Sequence, residues 1–401
     1  MQVRGDRLRH GVRTLHLWLG LGVGGLLVML GLTGSILVFY PELDALLHPQ
    51  IRVEASDRPA REPDWDRALA TVREAYPDKS GPWRFELTGE AGAIPARYYN
   101  PPERAGYAFR PMMVWLSPDG SRVLRRDYWG EYAMTFLYDL HYRLLLEETG
   151  GTILGWLGFI LLALLLSGLW AWWPKGSWTK ALRLKLNAHP QRSLRDWHKL
   201  AGLGGVLFLV MLTVTGIMLA LPEESDAVLA ATGLPVDSMP HVNAPPQPDA
   251  RQVSVAEIIR NARSALPGAR VAWIETPPAQ GGIFKLRMQA PGDPSFRFPH
   301  SYVWLDSASG DVMAVQDARQ AQAGSIINNW LHPLHEGSAG GLAGRLLVGF
   351  CGLLPAVLFV TGLTRWRSRR RACSLPQGGA QNGPVRSTEP RPAAGHKQRQ
   401  S

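Results

Sequence analysis

Four of the chain's eleven histidines sit among the same neighbours twice. His16 is followed by Gly20 at +4 and by Thr33-Gly34 at +17 and +18, and His198 by Gly202 and Thr215-Gly216 at the same offsets. His141 lies 27 residues before Gly168 and His335 lies 27 before Gly362, with Trp172 and Trp366 four residues further on. Agreement at this many offsets marks an internal repeat. A neutral imidazole ligates a metal through one ring nitrogen, and two imidazoles facing each other across a helix bundle suit the two axial positions of a haem iron. Zinc would want four ligands converging at one place; the pattern offers two at each of two places. The matched pairs are His16 with His198 and His141 with His335. His332 forms an i, i+3 pair with His335 but has no repeat partner, which makes it a reserve ligand.

The elements that must position these histidines are apolar. Residues 17–39, 152–173, 200–221 and 342–364 are almost free of charge. Each window holds roughly 20 residues, enough at about 1.5 Å per residue to cross a hydrocarbon layer of about 30 Å. The first is too long for a signal peptide, and Tyr40-Pro41-Glu42 stands where a cleavage site would be. The net charge of +10 is concentrated at span ends. Arg4, Arg7, Arg9 and Arg13 precede the first span. Lys175, Lys180, Arg183, Lys185, Arg192 and Arg195 lie between the second and third, and Arg365, Arg367 and Arg369 to Arg371 follow the fourth. Positive charge beside spans marks the cytoplasmic side and favours anionic lipid; no nucleic-acid motif accompanies it.

The expected organisation is therefore that of a multi-pass protein of the bacterial inner membrane with both termini cytoplasmic. A basic N-terminus (1–15) precedes a span at 16–40, an external domain at 41–148 and a span at 149–173. A basic loop (174–197) leads to a span at 198–221, a second external domain at 222–340, a span at 341–365 and a disordered basic tail (366–401). The fold class is a four-helix transmembrane bundle built as a parallel repeat, with two external α+β domains. His16 and His198 then start the odd spans on the cytoplasmic side, while His141 and His335 stand just before the even spans on the external side. Neither cysteine, Cys351 in a span nor Cys373 in the tail, faces an oxidising compartment, and no C-x-x-C-H sequence for covalent haem occurs.

The two external segments read alike. Residues 65–76 and 255–266 are amphipathic helical stretches closed by Pro77 and Pro267. Alternating segments follow at 83–87 and 271–275, and 114–116 and 303–305 read as strands entering turns at Gly120 and Gly310. Residues 233–248 are a proline-rich linker. Gly20, Gly24, Gly25, Gly202, Gly204 and Gly205 suit either the close approach of a flat macrocycle or close helix packing. His10, His48, His189, His241, His300 and His396 read as ordinary loop histidines. Gly20-Leu-Gly22-Val-Gly24 mimics a dinucleotide fingerprint but follows no strand.

His16-Leu-Trp-Leu-Gly20 with Thr33-Gly34, Asp139-Leu-His141, Asp196-Trp-His198 and Leu334-His335-Glu-Gly337 together resemble the PepSY-associated transmembrane helix family over nearly the whole chain. Leu17 stands where many members carry arginine, and Glu336 and Ser338 depart from the commoner residues. The resemblance implies PepSY-like external domains, two b-type haems ligated by His16, His141, His198 and His335, and ferric-siderophore reductase activity. Electrons would pass from a quinol or a separate cytoplasmic reductase to a ferric siderophore or another periplasmic acceptor. Tyr128, Trp129, Tyr132, Tyr138, Tyr142 and Trp330 are aromatic candidates for the acceptor cleft, and Arg143 for attracting an anionic chelate. A non-enzymatic peptide-binding sensor or assembly protein without haem is the alternative. A transporter is disfavoured by the lack of broken helices and buried acids in the spans.

Overall fold

The computed structural model describes residues 2–53, 63–87, 92–174, 176, 177, 179, 189–243 and 252–374. Lys175, Lys180, Arg183, Lys185, His396, the end of the proline-rich linker and the tail beyond Ser374 lie outside the described residues. In chain order, α1 (Gln2–Leu37) leads through α2 (Tyr40–Leu47) and α3 (Trp65–Ala75) to β1 (Trp83–Glu86), β2 (Ile94–Tyr98), β3 (Met112–Leu116) and β4 (Val123–Tyr128). Helices α4 (Ala133–Arg143) and α5 (Glu147–Trp172) close the first half. The second half has the same order. It runs from α6 (Pro190–Ala220), α7 (Pro222–Ala231) and α8 (Val255–Ala265) through β5 (Arg270–Glu275), β6 (Ile283–Gln289), β7 (Ser301–Asp306) and β8 (Val312–Gln316) to α9 (Ala323–His335) and α10 (Gly341–Ser374).

Helices α1, α5, α6 and α10 are long and apolar enough to cross a membrane. Their outer surfaces expose Trp156, Phe159, Leu207 and Phe350, a surface that lipid covers more favourably than water. Helix α1 extends the first span back over the basic residues expected as a separate N-terminus, and α10 runs past Arg371, because arginines continue a helix readily once it leaves the hydrocarbon. The four pack in a ring, α1 and α6 each touching α5 and α10. Close approach depends on small residues. A Cβ on Gly31 would lie 2.3 Å from the carbonyl oxygen of Gly352, and Gly155 and Gly158 of α5 receive Leu221 and Ile217.

All eight strands form one antiparallel sheet, ordered β4-β3-β2-β1-β5-β6-β7-β8. The sequence suggested two external α+β domains; the strands of both segments join edge to edge. β1 pairs with β5 through Arg84↔Glu275, Phe85↔Ile274 and Glu86↔Trp273. Each would otherwise be an edge strand with unpaired backbone groups. Helices α3 and α8 cover one face, burying Trp83, Phe85, Met112, Phe284, Leu286 and Met288. Both helices have capped starts: Asp64 accepts from the Arg67 amide and Ser254 from the Glu257 amide. Asp66 of α3 also accepts from the Val255 amide at 2.6 Å, tying the halves together. The ends of α1 and α6 and the starts of α5 and α10 all connect to this layer, so it caps one end of the bundle. Its second face, rich in arginine and aromatic rings, is turned toward α2, α4 and α9.

Candidate functional site

The structure brings the four repeat-matched histidines together in two pairs. At the end of the bundle away from the sheet, His16 of α1 faces His198 of α6 with ring centres 6.2 Å apart and planes at 78°. At the sheet end, His141 of α4 faces His335 of α9, also at 6.2 Å, with planes at 61°.

Each ring is fixed through Nδ1. His16 Nδ1 lies 3.1 Å from the Leu164 carbonyl and 3.2 Å from Ser167 Oγ. His198 Nδ1 lies 3.0 Å from the Leu358 carbonyl and 3.0 Å from Thr361 Oγ1. His141 and His335 each place Nδ1 2.9 Å from a hydroxyl, that of Thr33 and of Thr215. These hydroxyls donate their own protons to backbone carbonyls of their helices: Ser167 to Leu164, Thr361 to Val357, Thr33 to Met29 and Thr215 to Met211. Each must therefore accept from Nδ1–H, which leaves Nε2 with its lone pair. This is the outer-shell arrangement that orients a metal-ligating imidazole.

A glycine presses on every ring. A Cβ would lie 2.8 Å from His16 Cε1 if added to Gly168 and 3.0 Å from His141 Cε1 if added to Gly34. The values for Gly216 against His335 and Gly362 against His198 are 3.2 and 3.4 Å. The pattern is reciprocal: in each half the first helix holds the later histidine, and the last helix holds the earlier one. Thr33-Gly34 and Thr215-Gly216 were singled out by their offsets. Ser167 and Thr361 were missed, although a hydroxyl residue precedes a glycine on all four spanning helices and that dipeptide was the signal.

The spacing fits two imidazoles sharing one metal ion. With a metal–nitrogen bond of about 2 Å and roughly 1.1 Å from nitrogen to ring centre, opposed axial imidazoles have centres about 6.2 Å apart. Beside His16 and His198 lies a cavity of about 820 Å³ lined by Gly20, Gly24, Leu164, Gly202, Phe359 and Trp366, among others. It sorts the glycines noted above. Gly20 and Gly202 line it with no atom within 3.4 Å of an added Cβ, whereas Gly205 packs against Leu354 at 2.3 Å. Arg9, Arg13, Arg192, Arg195, Lys199, Arg365 and Arg369 also line it. Among the described residues, no group of three or more His, Cys, Asp or Glu side chains converges as a metal ion held by side chains alone would require.

The other candidates lie nearer the sheet. The His332 ring stacks on Phe298, with centres 4.3 Å apart, and does not enter either pair. Arg143 sits over the rings of Phe109 and Tyr142, at 5.0 and 5.5 Å. Trp330 is 41 % exposed. Three of the aromatic candidates pack the layer onto α2 and α4 or bind within it. Trp129 Nε1 donates to Asp139 at 2.8 Å, Tyr132 shares a hydrogen bond with Tyr40 at 2.8 Å, and Tyr128 donates to Glu103. His10 lies inside α1, and His189 caps α6.

Comparison with curated proteins gave no match. A family model described as the PepSY-associated TM region matches residues 13–369, and the chain is a membrane protein belonging to that family.

Proposed function

We propose that the protein is a di-haem oxidoreductase of the bacterial inner membrane, built as a parallel repeat with PepSY-like external modules. On this reading His16 and His198 hold an inner b-type haem, and His141 and His335 an outer one. Haem iron between two imidazoles takes up and gives back one electron with its ligands in place. The chain's own residues supply the rest. Four Nδ1–H bonds leave each Nε2 with its lone pair free, and four glycines keep the rings where those bonds need them. His16 and Thr33 are 17 residues apart on one helix, roughly 25 Å along its axis, so two sites divide a distance that one would leave too long. The end carrying Arg9, Arg13, Arg192, Arg195, Arg365 and Arg369 is assigned to the cytoplasm. The donor there is a quinol or a separate reductase. The acceptor on the sheet side is a ferric siderophore or another oxidant, approached through Arg143, Tyr142 and Trp330; this step rests on the family resemblance.

The observation that carries the reading is the pair of facing imidazoles at 6.2 Å in each of two places. Purified full-length protein should give two haems per chain by pyridine haemochrome and a b-type reduced-minus-oxidised spectrum. His16→Ala or His198→Ala should remove one component, and His141→Ala or His335→Ala the other. A colourless protein would overturn the reading in favour of a haem-free peptide-binding module. Loss of one shared component from His16→Ala and His141→Ala would overturn the pairing.

A further inference from the structure

The sheet face turned toward the bundle carries more positive charge than its own carboxylates neutralise. Arg84, Arg97 and Arg287 project from β1, β2 and β6, and Arg297 stands between β6 and β7. Arg84 and Arg97 share Glu86: Arg84 Nη2 is 2.5 Å and Arg97 Nη2 3.3 Å from its Oε1. Burial alone would raise the Glu86 pKa, but Arg84, Arg97 and Arg297 outweigh it and hold the group at about 2. Arg84 Nη1 also donates to the Tyr99 hydroxyl and Arg287 Nε to the Pro299 carbonyl, and all four guanidiniums lie against rings. Arg84 is 3.9 Å and Arg287 4.4 Å from the Trp273 centre, and Arg97 is 5.0 Å from that of Trp129. Arg297 lies 5.5 Å from the Tyr40 ring and 5.3 Å from that of Phe298. Rings favour a cation but accept no strong hydrogen bond. Arg84 and Arg97 are 6 % and 8 % exposed, and the Nε–H of each is buried without an acceptor among the described residues.

The cluster sits directly above one histidine pair. Arg297 lies 5.3 Å from the Phe298 ring, which stacks on His332 at 4.3 Å, and its charge also reaches Tyr138. Tyr138 precedes His141 by three residues on α4, and His332 precedes His335 by three on α9. Arg297 therefore stands to the sheet side of the His141–His335 pair. A guanidinium fork is the side chain best shaped to receive a carboxylate.

We propose that Arg297, backed by Arg97, is the carboxylate anchor of the outer site and receives a propionate of the haem held by His141 and His335. The cluster also makes that site the more oxidising of the two, so that electrons run toward the sheet. This rests on the di-haem reading. A fixed positive charge favours the reduced, less positive iron, and it does so most where water is excluded. The inner cavity is basic as well, but the Arg195 side chain there is 55 % exposed, where solvent and salt screen its charge, and Lys199, 14 % exposed, is paired with the buried Asp196 at 3.3 Å.

The test uses full-length protein in detergent with Arg297→Gln and Arg297→Lys. Arg297→Gln should keep two haems per chain and lower the outer midpoint potential while leaving the inner one unchanged. It should also shift the propionate bending mode in resonance Raman, and lose outer haem to apomyoglobin roughly tenfold faster or more. Arg297→Lys should recover most of the potential but not the mode, because it restores charge without the fork. A lowered potential with an unmoved propionate mode overturns the anchor, as do wild-type values throughout. If the wild type itself binds no haem, the di-haem reading fails, and that result cannot be confused with either of the others.

Discussion

The two halves of the chain turn differently after their sheet-side histidines. From α9 to α10 the turn uses glycine in the left-handed region, Gly337 at φ 81° and Gly341 at φ 57°. From α4 to α5 the same region is occupied by Leu144, Leu145 and Glu147, at φ 53°, 61° and 53°. Yet both halves place a glycine nine residues after the histidine. A Cβ on Gly150 would lie 1.7 Å from the Arg143 carbonyl oxygen, and one on Gly344 would lie 2.2 Å from that of Gly337. Strain in a turn is an energy of about 1–2 kcal/mol per residue, which packing elsewhere can offset. Atomic overlap at those distances cannot be offset. Glycine is kept in both halves at the closest backbone contact, whereas the turns themselves differ in how their positive-φ positions are filled.

The same comparison at the ligands gives the largest expected effect. In the first half Gly168 and Gly34 leave an added Cβ 2.8 and 3.0 Å from the ring; in the second, Gly362 and Gly216 leave 3.4 and 3.2 Å. Gly168→Ala must displace His16 from its Nδ1 partners, and the inner haem should be lost. Gly362→Ala needs only ordinary van der Waals contact with His198, and most of the inner haem should remain. Haemochrome content of the two variants checks this. Equal losses would mean that clearance at the ring does not decide ligation and that the halves are not distinguished there.

Much of this arrangement is legible in the sequence because its signals are local or periodic. Charge-free windows give the spanning helices, alternation gives strands such as β1 and β5, and matched offsets give the histidine pairs. The hydroxyl residues were harder to see, since serine at 167 and threonine at 361 differ in type and only their place before glycine is shared. The β1–β5 junction was not legible at all. Arg84 and Glu275 pair across 191 residues, and neither strand carries a local mark distinguishing a joined edge from a free one. Arg297 was missed for a similar reason, because its meaning depends on Tyr138 and His332 from elements far away in sequence.

That junction provides the second test. Glu86 has a folded-state pKa held near 2, against 4.5 for the free group. A depressed carboxylate contributes stability that is present above pH 4.5 and lost as pH falls from there toward 2. His300 behaves differently: burial first, then Arg287, lowers its pKa from 6.5 to about 4. Its contribution is present above pH 6.5 and is lost in the higher window between 6.5 and 4. Acid titration followed by near-ultraviolet circular dichroism should therefore show a sheet transition extending below pH 4, and Glu86→Gln should shrink that lower part, leaving what Glu103 and Asp119, also held at about 2, contribute. At neutral pH the variant should lose about 3 kcal/mol, because the arginines would then lack their shared carboxylate. An unchanged acid limb would remove Glu86 as the carboxylate that steadies the arginine cluster beside the β1–β5 junction.

The smallest effect returns to the two turns. Leu145 is 46 % exposed, so its side chain contributes little packing to weigh against its left-handed backbone. Leu145→Gly relieves about 1–2 kcal/mol of strain and adds about 0.5–1 kcal/mol of unfolded-chain entropy. A net stabilisation of about 0.5–1 kcal/mol is expected. Gly341 is the counterpart control, since no atom lies within 4 Å of an added Cβ and its φ and ψ are 57° and −144°. Gly341→Ala introduces no overlap and should destabilise by about 1–3 kcal/mol through backbone strain alone. Thermal unfolding of the intact protein should therefore move upward for the first variant and downward for the second. The changes should add in the double variant if the turns are independent. If Leu145→Gly lowers the unfolding temperature instead, the left-handed leucines are held by packing that glycine cannot replace, and the two turns differ in support as well as in residue type.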